Sequence, residues 1–207
     1  MKINALLFVG LLAVSAHVYC KATSVTNTEK YFDLSVQTKV GEFHCLVDKE
    51  PIDVTLSSDG EAVIMSGTDY IPVNELSHCK SGTPVRVRRA APHVGFLSDI
   101  NIKAGIYASK VPVAVSPLSF VAFVGKIGSD RSLVKVPGFY RTSVGASRLK
   151  EEASSIMNLV ISLDGKYISL DRHQCGMDQK IDVVEIKSGR MVVIDNKDCS
   201  ALFNFGN

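Results

Sequence analysis

The sequence has no tryptophan, and aromatic residues make up only 7% of its 207 residues. It also lacks an excess of charge of either sign, since 23 Lys and Arg stand against 21 Asp and Glu. Removing residues 1–22 takes away Lys2 and Lys21 and no acid, which leaves 21 basic and 21 acidic residues. A neutral chain argues against nucleic acid or an anionic membrane surface as the main partner. The 46% of hydrophobic residues indicate a folded globular protein and exclude a disordered chain.

Signatures of the common catalytic and cofactor-binding sites are also absent from the sequence. There is no G-x-S-x-G nucleophile motif, no glycine-rich phosphate loop and no G-x-G-x-x-G dinucleotide motif. The acidic run at residues 195–198 lacks the further oxygen ligands of a calcium loop. We therefore expect no cofactor and favour a non-enzymatic function.

The long hydrophobic run lies at the start of the chain. Residues 5–16 form a 12-residue apolar stretch behind Lys2, and small residues mark two cleavage positions, after Ala16 and after Ala22. This is the layout of a secretory signal peptide, and the run is too short for a membrane span of about 20 residues. We predict a signal peptide at residues 1–22 and an exported chain at 23–207 without a transmembrane segment. The location would be periplasmic or secreted; an N-terminal membrane anchor is the alternative.

Cysteine usage supports export independently. Cleavage after Cys20 would reduce the five cysteines to four, and an even number in an exported protein predicts two disulfides. Of the three pairings we favour Cys45–Cys79 and Cys175–Cys199, because each closes a shorter loop between segments that resemble neighbouring strands.

Zinc is the alternative use of these cysteines. His44, His78 and His173 lie beside or near three of them. Structural zinc sites usually take paired ligands two to four residues apart, whereas adjacent residues on a strand point to opposite faces. We therefore expect disulfides and no metal.

Turn residues recur between short apolar runs along the chain. Asp-Gly and Ser-Gly turns need positive φ and strongly favour β-hairpins. Hairpins are predicted between residues 32–37 and 42–47, 52–56 and 62–65, 159–163 and 167–170, and 181–186 and 191–194. The predicted fold class is all-β: an antiparallel sandwich or barrel-like β domain or domains. At most one short helix is expected, at residues 147–158, where apolar residues have helical spacing.

A longer pattern indicates an internal repeat. The stretch from Ser58 to Gly82 resembles the stretch from Leu163 to Gly189 at offsets of 105 and 107 residues. Repeats of this kind determine architecture, so the exported region is predicted to contain either two β units, 23–104 and 105–207, or one domain.

One cysteine motif suggests an enzymatic alternative. Residues 171–176, Asp-Arg-His-Gln-Cys-Gly, resemble the cysteine region of L,D-transpeptidases. That resemblance implies a Cys175 thiolate that attacks an acyl donor and is activated by His173. The upstream histidine-glycine motif of the family is missing, and an even set of cysteines favours a disulfide for Cys175.

The unusual charged feature is the run Arg86-Val87-Arg88-Arg89. On a strand, Val85 and Val87 point to one side while Arg86 and Arg88 point to the other. Guanidinium groups on one face suit bidentate contacts with an acidic protein. The same residues would alternatively protect an exposed sheet edge, serve as a dibasic processing site or form a solvated face.

These observations favour a non-enzymatic, disulfide-containing protein of the bacterial envelope that binds another, acidic protein through Arg86, Arg88 and Arg89. Within that class we favour an inhibitor or immunity-type role. The alternatives are a cell-wall-acting cysteine hydrolase or transpeptidase that uses Cys175 and His173, and an adhesin or envelope assembly subunit.

Overall fold

The computed structural model describes residues 20–21, 30–65, 67–90, 95–113, 116–129, 132–135, 159–169 and 181–204. These residues form mostly short strands, with the 3-10 helix η1 (Val73–Ser81) and the α-helix α1 (Asn196–Leu202). The strands are β1 (Cys20–Lys21), β2 (Phe32–Thr38), β3 (Gly41–Val47), β4 (Thr55–Leu56), β5 (Ala62–Ile64), β6 (Asp69–Pro72), β7 (Arg88–Arg89), β8 (Phe96–Asn101), β9 (Ile106–Val113), β10 (Ser116–Lys126), β11 (Ser132–Lys135), β12 (Val160–Ile161), β13 (Tyr167–Ser169), β14 (Ile181–Glu185) and β15 (Arg190–Ile194).

The strands pair into four antiparallel sheets. Sheet I has the order β1-β2-β3, sheet II β4-β5-β6-β7, sheet III β11-β10-β9-β8 and sheet IV β12-β13-β14-β15. The predicted all-β class is confirmed, and none of these sheets closes into a barrel within the described residues. All four predicted hairpins form, although β4 and β12 are shorter than the apolar runs that predicted them.

The first two sheets pack face to face. Val36 and Cys45 of sheet I belong to one core cluster with Val63 and Ile71 of sheet II and Leu76 of η1. Because successive strand residues point to opposite faces, the neighbours of Val63 on β5 face away from sheet I. All three residues of β5 are buried, which shows that sheet II is covered on both faces.

The stack continues through sheets III and IV. Ala62 and Tyr70 of sheet II pack with Ile100 and Tyr107 of sheet III. The other face of sheet III contributes a cluster with sheet IV, and the far face of sheet IV packs against α1. The members of these two clusters are Ile106, Ala108, Ala122, Val124, Leu159, Ile161, Ile168, Val184 and Ile186, and then Val160, Val183, Ile194, Cys199 and Phe203.

Two turns in the predicted repeat have closely matching structures. In the first, the Ser57 hydroxyl donates to Asp59 Oδ1 at 2.5 Å, and the Ala62 N–H donates to Ser57 Oγ at 2.9 Å. The Gly60 N–H donates to the Ser57 carbonyl at 2.9 Å. Gly60 has a φ of 72°, a value that favours glycine.

The second turn repeats these bonds 105 residues later. The Ser162 hydroxyl donates to Asp164 Oδ1 at 2.7 Å, and the Tyr167 N–H donates to Ser162 Oγ at 2.9 Å. The Gly165 N–H donates to the Ser162 carbonyl at 2.8 Å, and Gly165 has a φ of 71°. The two turns are therefore alike in detail. The division into units 23–104 and 105–207 stays a prediction, and its boundary lies in the turn between β8 and β9.

Both described helices lie where the sequence analysis predicted none. The helix predicted at residues 147–158 lies outside the described residues. The helix α1 has seven residues, and its N-cap residue Asp195 makes no side-chain capping bond. Helices this short are marginal in isolation, so its stability comes from packing against sheet IV rather than from a periodic sequence signal.

One buried carboxylate joins three of the sheets. Asp99 on β8 is 3% exposed and accepts hydrogen bonds from the Ser58 hydroxyl at 2.6 Å and the Ser58 N–H at 2.9 Å. The N–H groups of Ile161 on β12 and of Ile100 donate to it at 2.7 and 2.8 Å. Burial raises the pKa of Asp99 to about 6, although the hydrogen bonds from Ser58, Ile161 and Ile100 act in the opposite direction.

Candidate functional site

The predicted arginine run lies beside the end of β3. The Val85 N–H donates to the Leu46 carbonyl at 2.8 Å, and the Val87 N–H donates to Asp48 Oδ1 at 2.8 Å. Val85 and Val87 are buried while Arg86 and Arg88 are exposed, so the predicted alternation is confirmed. The backbone therefore holds Arg86 in place through its two neighbours and leaves its side chain in solvent.

Arg88 and Arg89 form β7, the edge strand of sheet II. Arg89 lies opposite Asp69 of β6, and Arg88 lies opposite Tyr70. The predicted role in edge protection is compatible with this position, because charged side chains hinder pairing with another chain.

Each of these two arginines meets a carboxylate of the same chain. Arg88 Nη2 forms an ion pair with Glu75 Oε1 of η1, and Arg89 Nε lies 3.7 Å from Asp69 Oδ1. Lys49 Nζ lies 2.7 Å from the other oxygen, Asp69 Oδ2. Both arginines remain about half exposed, so each pair contributes only about 0–1 kcal/mol to stability. The pairs restrict where the guanidinium groups point.

Arg86 differs from its neighbours. It forms no ion pair or hydrogen bond through its side chain within the described part of the chain. A guanidinium has five N–H donors, and those of Arg86 are open to a ligand.

The arginines line a surface groove of about 660 Å³. Its lining residues are Asp48, Lys49, Glu75, Arg86, Val87, Arg88 and Arg89. Together with Asp69, which pairs with Lys49 and Arg89, the site holds four basic and three acidic side chains, so Arg86 carries its surplus positive charge.

A disulfide holds the Glu75 side of the groove in place. Cys45 of β3 and Cys79 of η1 are bonded, with Cα atoms 4.8 Å apart and a sequence separation of 34. This confirms one of the two predicted pairs. Because Glu75 lies on the same helix as Cys79, the bond anchors the element that orients Arg88.

The same bond removes the zinc alternative for Cys45 and Cys79, since zinc binds thiolates rather than disulfide sulfurs. Among the described residues, no group of three His, Cys, Asp or Glu side chains is arranged to hold a metal ion. The His44 side chain is 75% exposed and lies 3.3 Å from Glu42.

Of the second predicted pair, one cysteine lies among the described residues. Cys199 is disulfide-bonded and fully buried, and it lies on α1 in the cluster that packs against sheet IV. Cys175 lies outside the described residues, as does His173, so the predicted Cys175–Cys199 bond and the enzymatic alternative stay predictions.

The carboxylates of the groove were missed by the sequence analysis. Val87 and Asp48 are 39 residues apart, Lys49 and Asp69 are 20 apart, and Arg88 and Glu75 are 13 apart. No local pattern connects residues at such separations. The available hint was the stretch of residues 42–75 before the arginine run, which holds eight Asp and Glu against one Lys, but it did not identify the pairs.

Comparisons with protein-family models, with curated proteins and with solved structures find no match to the chain. In the part of the chain that the structure describes, no helix is long and apolar enough to cross a membrane.

Proposed function

We propose that this chain is an exported, non-enzymatic protein that binds an acidic segment of another protein in the arginine groove. The observation that carries the proposal is Arg86, an exposed guanidinium without a partner in the described chain, at a groove whose other cations are already held by carboxylates. Enrichment of arginine at the centres of protein interfaces supports this use.

The internal ion pairs favour binding because they orient Arg88, Arg89 and Lys49 before a ligand arrives. A ligand carboxylate at Arg86 would gain a bidentate contact without displacing an internal partner. Carboxylates placed at Arg88 or Arg89 would have to share those groups with Glu75 or Asp69. We therefore place the main anchor at Arg86 and give Arg88 and Arg89 a supporting role.

Export is the second part of the proposal. The Cys45–Cys79 disulfide fits an oxidising compartment, and the signal peptide predicted at residues 1–22 would direct the chain there. Removal of residues 1–22 would also remove β1 and leave sheet I with the paired strands β2 and β3. A bacterial periplasm or the exterior is the proposed location. An inhibitor or immunity-type role suits a protein that carries a binding groove and no catalytic signature.

The groove is tested with two charge-reversal variants of equal charge change. Envelope extract is passed over immobilised wild-type protein, Arg86→Glu and Lys39→Glu; Lys39 is exposed and does not line the groove. The affinity of the protein captured by the wild type is then measured for each variant. Arg86→Glu is expected to weaken binding by at least about 2 kcal/mol, or about 30-fold, while Lys39→Glu binds normally.

Thermal melts of both variants serve as the control for folding, since the Arg86 side chain forms no ion pair or hydrogen bond within the described part of the chain. Equal affinity of Arg86→Glu and the wild type would contradict the groove as the binding site and favour edge protection instead. Arg88→Glu is a poorer test, because it would place a second carboxylate beside Glu75.

Counting free thiols distinguishes the enzymatic alternative from the proposed binding protein. Protein purified from its native compartment and unfolded without reductant is expected to show no free thiol at Cys175. A reactive Cys175 would contradict the proposed disulfide and favour a cysteine hydrolase or transpeptidase with His173 as its base.

A further inference from the structure

The last strand of sheet IV has an open edge. β15 pairs with β14 on one side, and no described strand pairs with its other side. Two of its five residues expose large apolar side chains, Met191 by 47% and Val193 by 60%. Within the described part of the chain, neither residue has a polar contact beyond those of the sheet.

The backbone groups of the same two residues face outwards. The hairpin before β15 closes with a Gly189 N–H bond to the Glu185 carbonyl at 2.8 Å, and Gly189 has a φ of 67°. In this bulged turn, the backbone of the next residue, Arg190, forms its hydrogen bond with β14. Bonding directions alternate along an antiparallel strand, so Val192 also bonds to β14 while Met191 and Val193 direct their N–H and C=O groups to the open edge.

Among the described residues, nothing gives this edge the usual protection against pairing. β15 contains no proline or lysine, and its register with β14 is regular. In contrast, β7 at the edge of sheet II consists of two arginines, and β8 at the edge of sheet III has a register shift. Charges and bulges of that kind are the common means of blocking edge-to-edge association.

We propose that β15 pairs with β15 of a second copy of this chain to form a symmetric dimer. A two-fold axis through Val192 makes the edge complementary to itself, because it places Met191 of each copy opposite Val193 of the other. Both pairs then exchange the backbone hydrogen bonds that are open in the single copy. The exposed apolar side chains come together on one face of a sheet that continues through both copies.

Charge does not oppose this register. The charged residue of β15 is Arg190 at its beginning, and antiparallel pairing places the two copies of Arg190 at opposite ends of the ribbon. At about 3.4 Å per residue they are separated by roughly 14 Å, beyond the screening length of about 8 Å at physiological salt. Because the paired segment is short, association is expected to be reversible and dependent on protein concentration.

Sedimentation equilibrium over a range of concentrations tests the dimer. Val193→Lys is expected to raise the dissociation constant at least about tenfold, because it places a charge on the edge without entering the core. Val40→Lys is the matched control, since Val40 is 74% exposed in the β2–β3 turn and is expected to leave the equilibrium unchanged. A protein that stays monomeric at all concentrations, or a dimer insensitive to Val193→Lys, would overturn the proposal.

Oxidative cross-linking tests the register. The two Val192 residues face each other across the axis, within the 4.4–6.8 Å Cα separation that a disulfide needs. Val192→Cys is therefore expected to give a covalent dimer under mild oxidation, whereas Val193→Cys faces Met191 and is expected to give little. Equal cross-linking of the two variants would contradict the axis through Val192. If a different captured protein were instead found to protect the edge residues of a monomer, that result would also overturn the proposal that a second copy occupies the edge.

Discussion

Tyr107 and Gly125 show how closely the residues of sheet III depend on one another. They lie opposite each other on β9 and β10, and Tyr107 is 1% exposed. A Cβ atom at Gly125 would overlap the Tyr107 ring. Gly125 is therefore needed for space and not for a positive φ.

Gly125→Ala is expected to destabilise the protein by about 1–3 kcal/mol, because the buried ring has no room to move away from the added methyl group. Urea unfolding of the wild type and the variant measures the change. Tyr107→Leu is the companion variant: if the overlap is the cause, the double variant should lose less than the two single losses combined. Additive losses would contradict direct contact as the cause.

At the scale of elements, the disulfide between β3 and η1 is the main constraint on the groove. Cys45 lies in the core cluster of sheets I and II, and η1 places Leu76 in the same cluster. The helix therefore has both a covalent and an apolar attachment, and Glu75 is held next to Arg88 through them.

Replacing Cys45, Cys79 or both with Ser is expected to lower stability by about 2–4 kcal/mol, because a bond closing a loop of 34 residues restricts the unfolded chain. The double variant should cost no more than the larger single loss, since each change opens the same bond. Urea unfolding gives the free energies, and hydrogen exchange of η1 should increase in all three variants. Additive single losses would show that the two residues act separately.

At the scale of the whole molecule, Asp99 couples sheets II, III and IV. Two charged groups lie in the turns next to its partners Ser58 and Ile161: Asp59, whose Oδ2 accepts the Ile102 N–H at 3.2 Å, and Asp164 in the matching turn. No basic side chain bonds to Asp99 in the described residues. The carboxylate is instead stabilised by donors from Ser58, Ile100 and Ile161.

This arrangement predicts a pH-dependent stability. Because burial raises the pKa of Asp99 from 3.8 to about 6, the folded state binds more protons than the unfolded state between these values. The stabilising effect of protonation is therefore fully present below about pH 4 and is lost as the pH rises through about 6. A shift of this size corresponds to about 3 kcal/mol.

Urea unfolding from pH 4 to pH 7 measures this contribution as the difference between the wild type and Asp99→Asn. The variant is expected to be less stable, since its amide N–H groups would face the N–H donors. Its free energy of unfolding should also lack the dependence on pH that Asp99 contributes in the wild type. Asp53→Asn, at an exposed acid, is the control and should keep the wild-type slope. Identical slopes for Asp99→Asn and the wild type would contradict the raised pKa.

The sequence by itself determined the strand pattern and most of its turns. Gly60, Gly165 and Gly189 adopt the positive φ that their turns require, and Val85 and Arg86 alternate between core and solvent as predicted. These features depend on conformational preferences over a few neighbouring residues, which a local pattern records. The Cys45–Cys79 pair was predicted correctly from its shorter loop, but the expectation that both cysteines lie on neighbouring strands was wrong, because Cys79 lies on η1.

Only the tertiary structure decided which charges meet and which acid is buried. Arg88 and Glu75 are separated by 13 residues, and Asp99 and Ile161 by 62, so their contacts exist only after η1 has docked and the sheets have stacked. The same stacking made α1 stable and left β15 with an open edge. Burial and pairing depend on what packs against a residue, and that information is spread over the whole chain rather than carried by any local stretch of it.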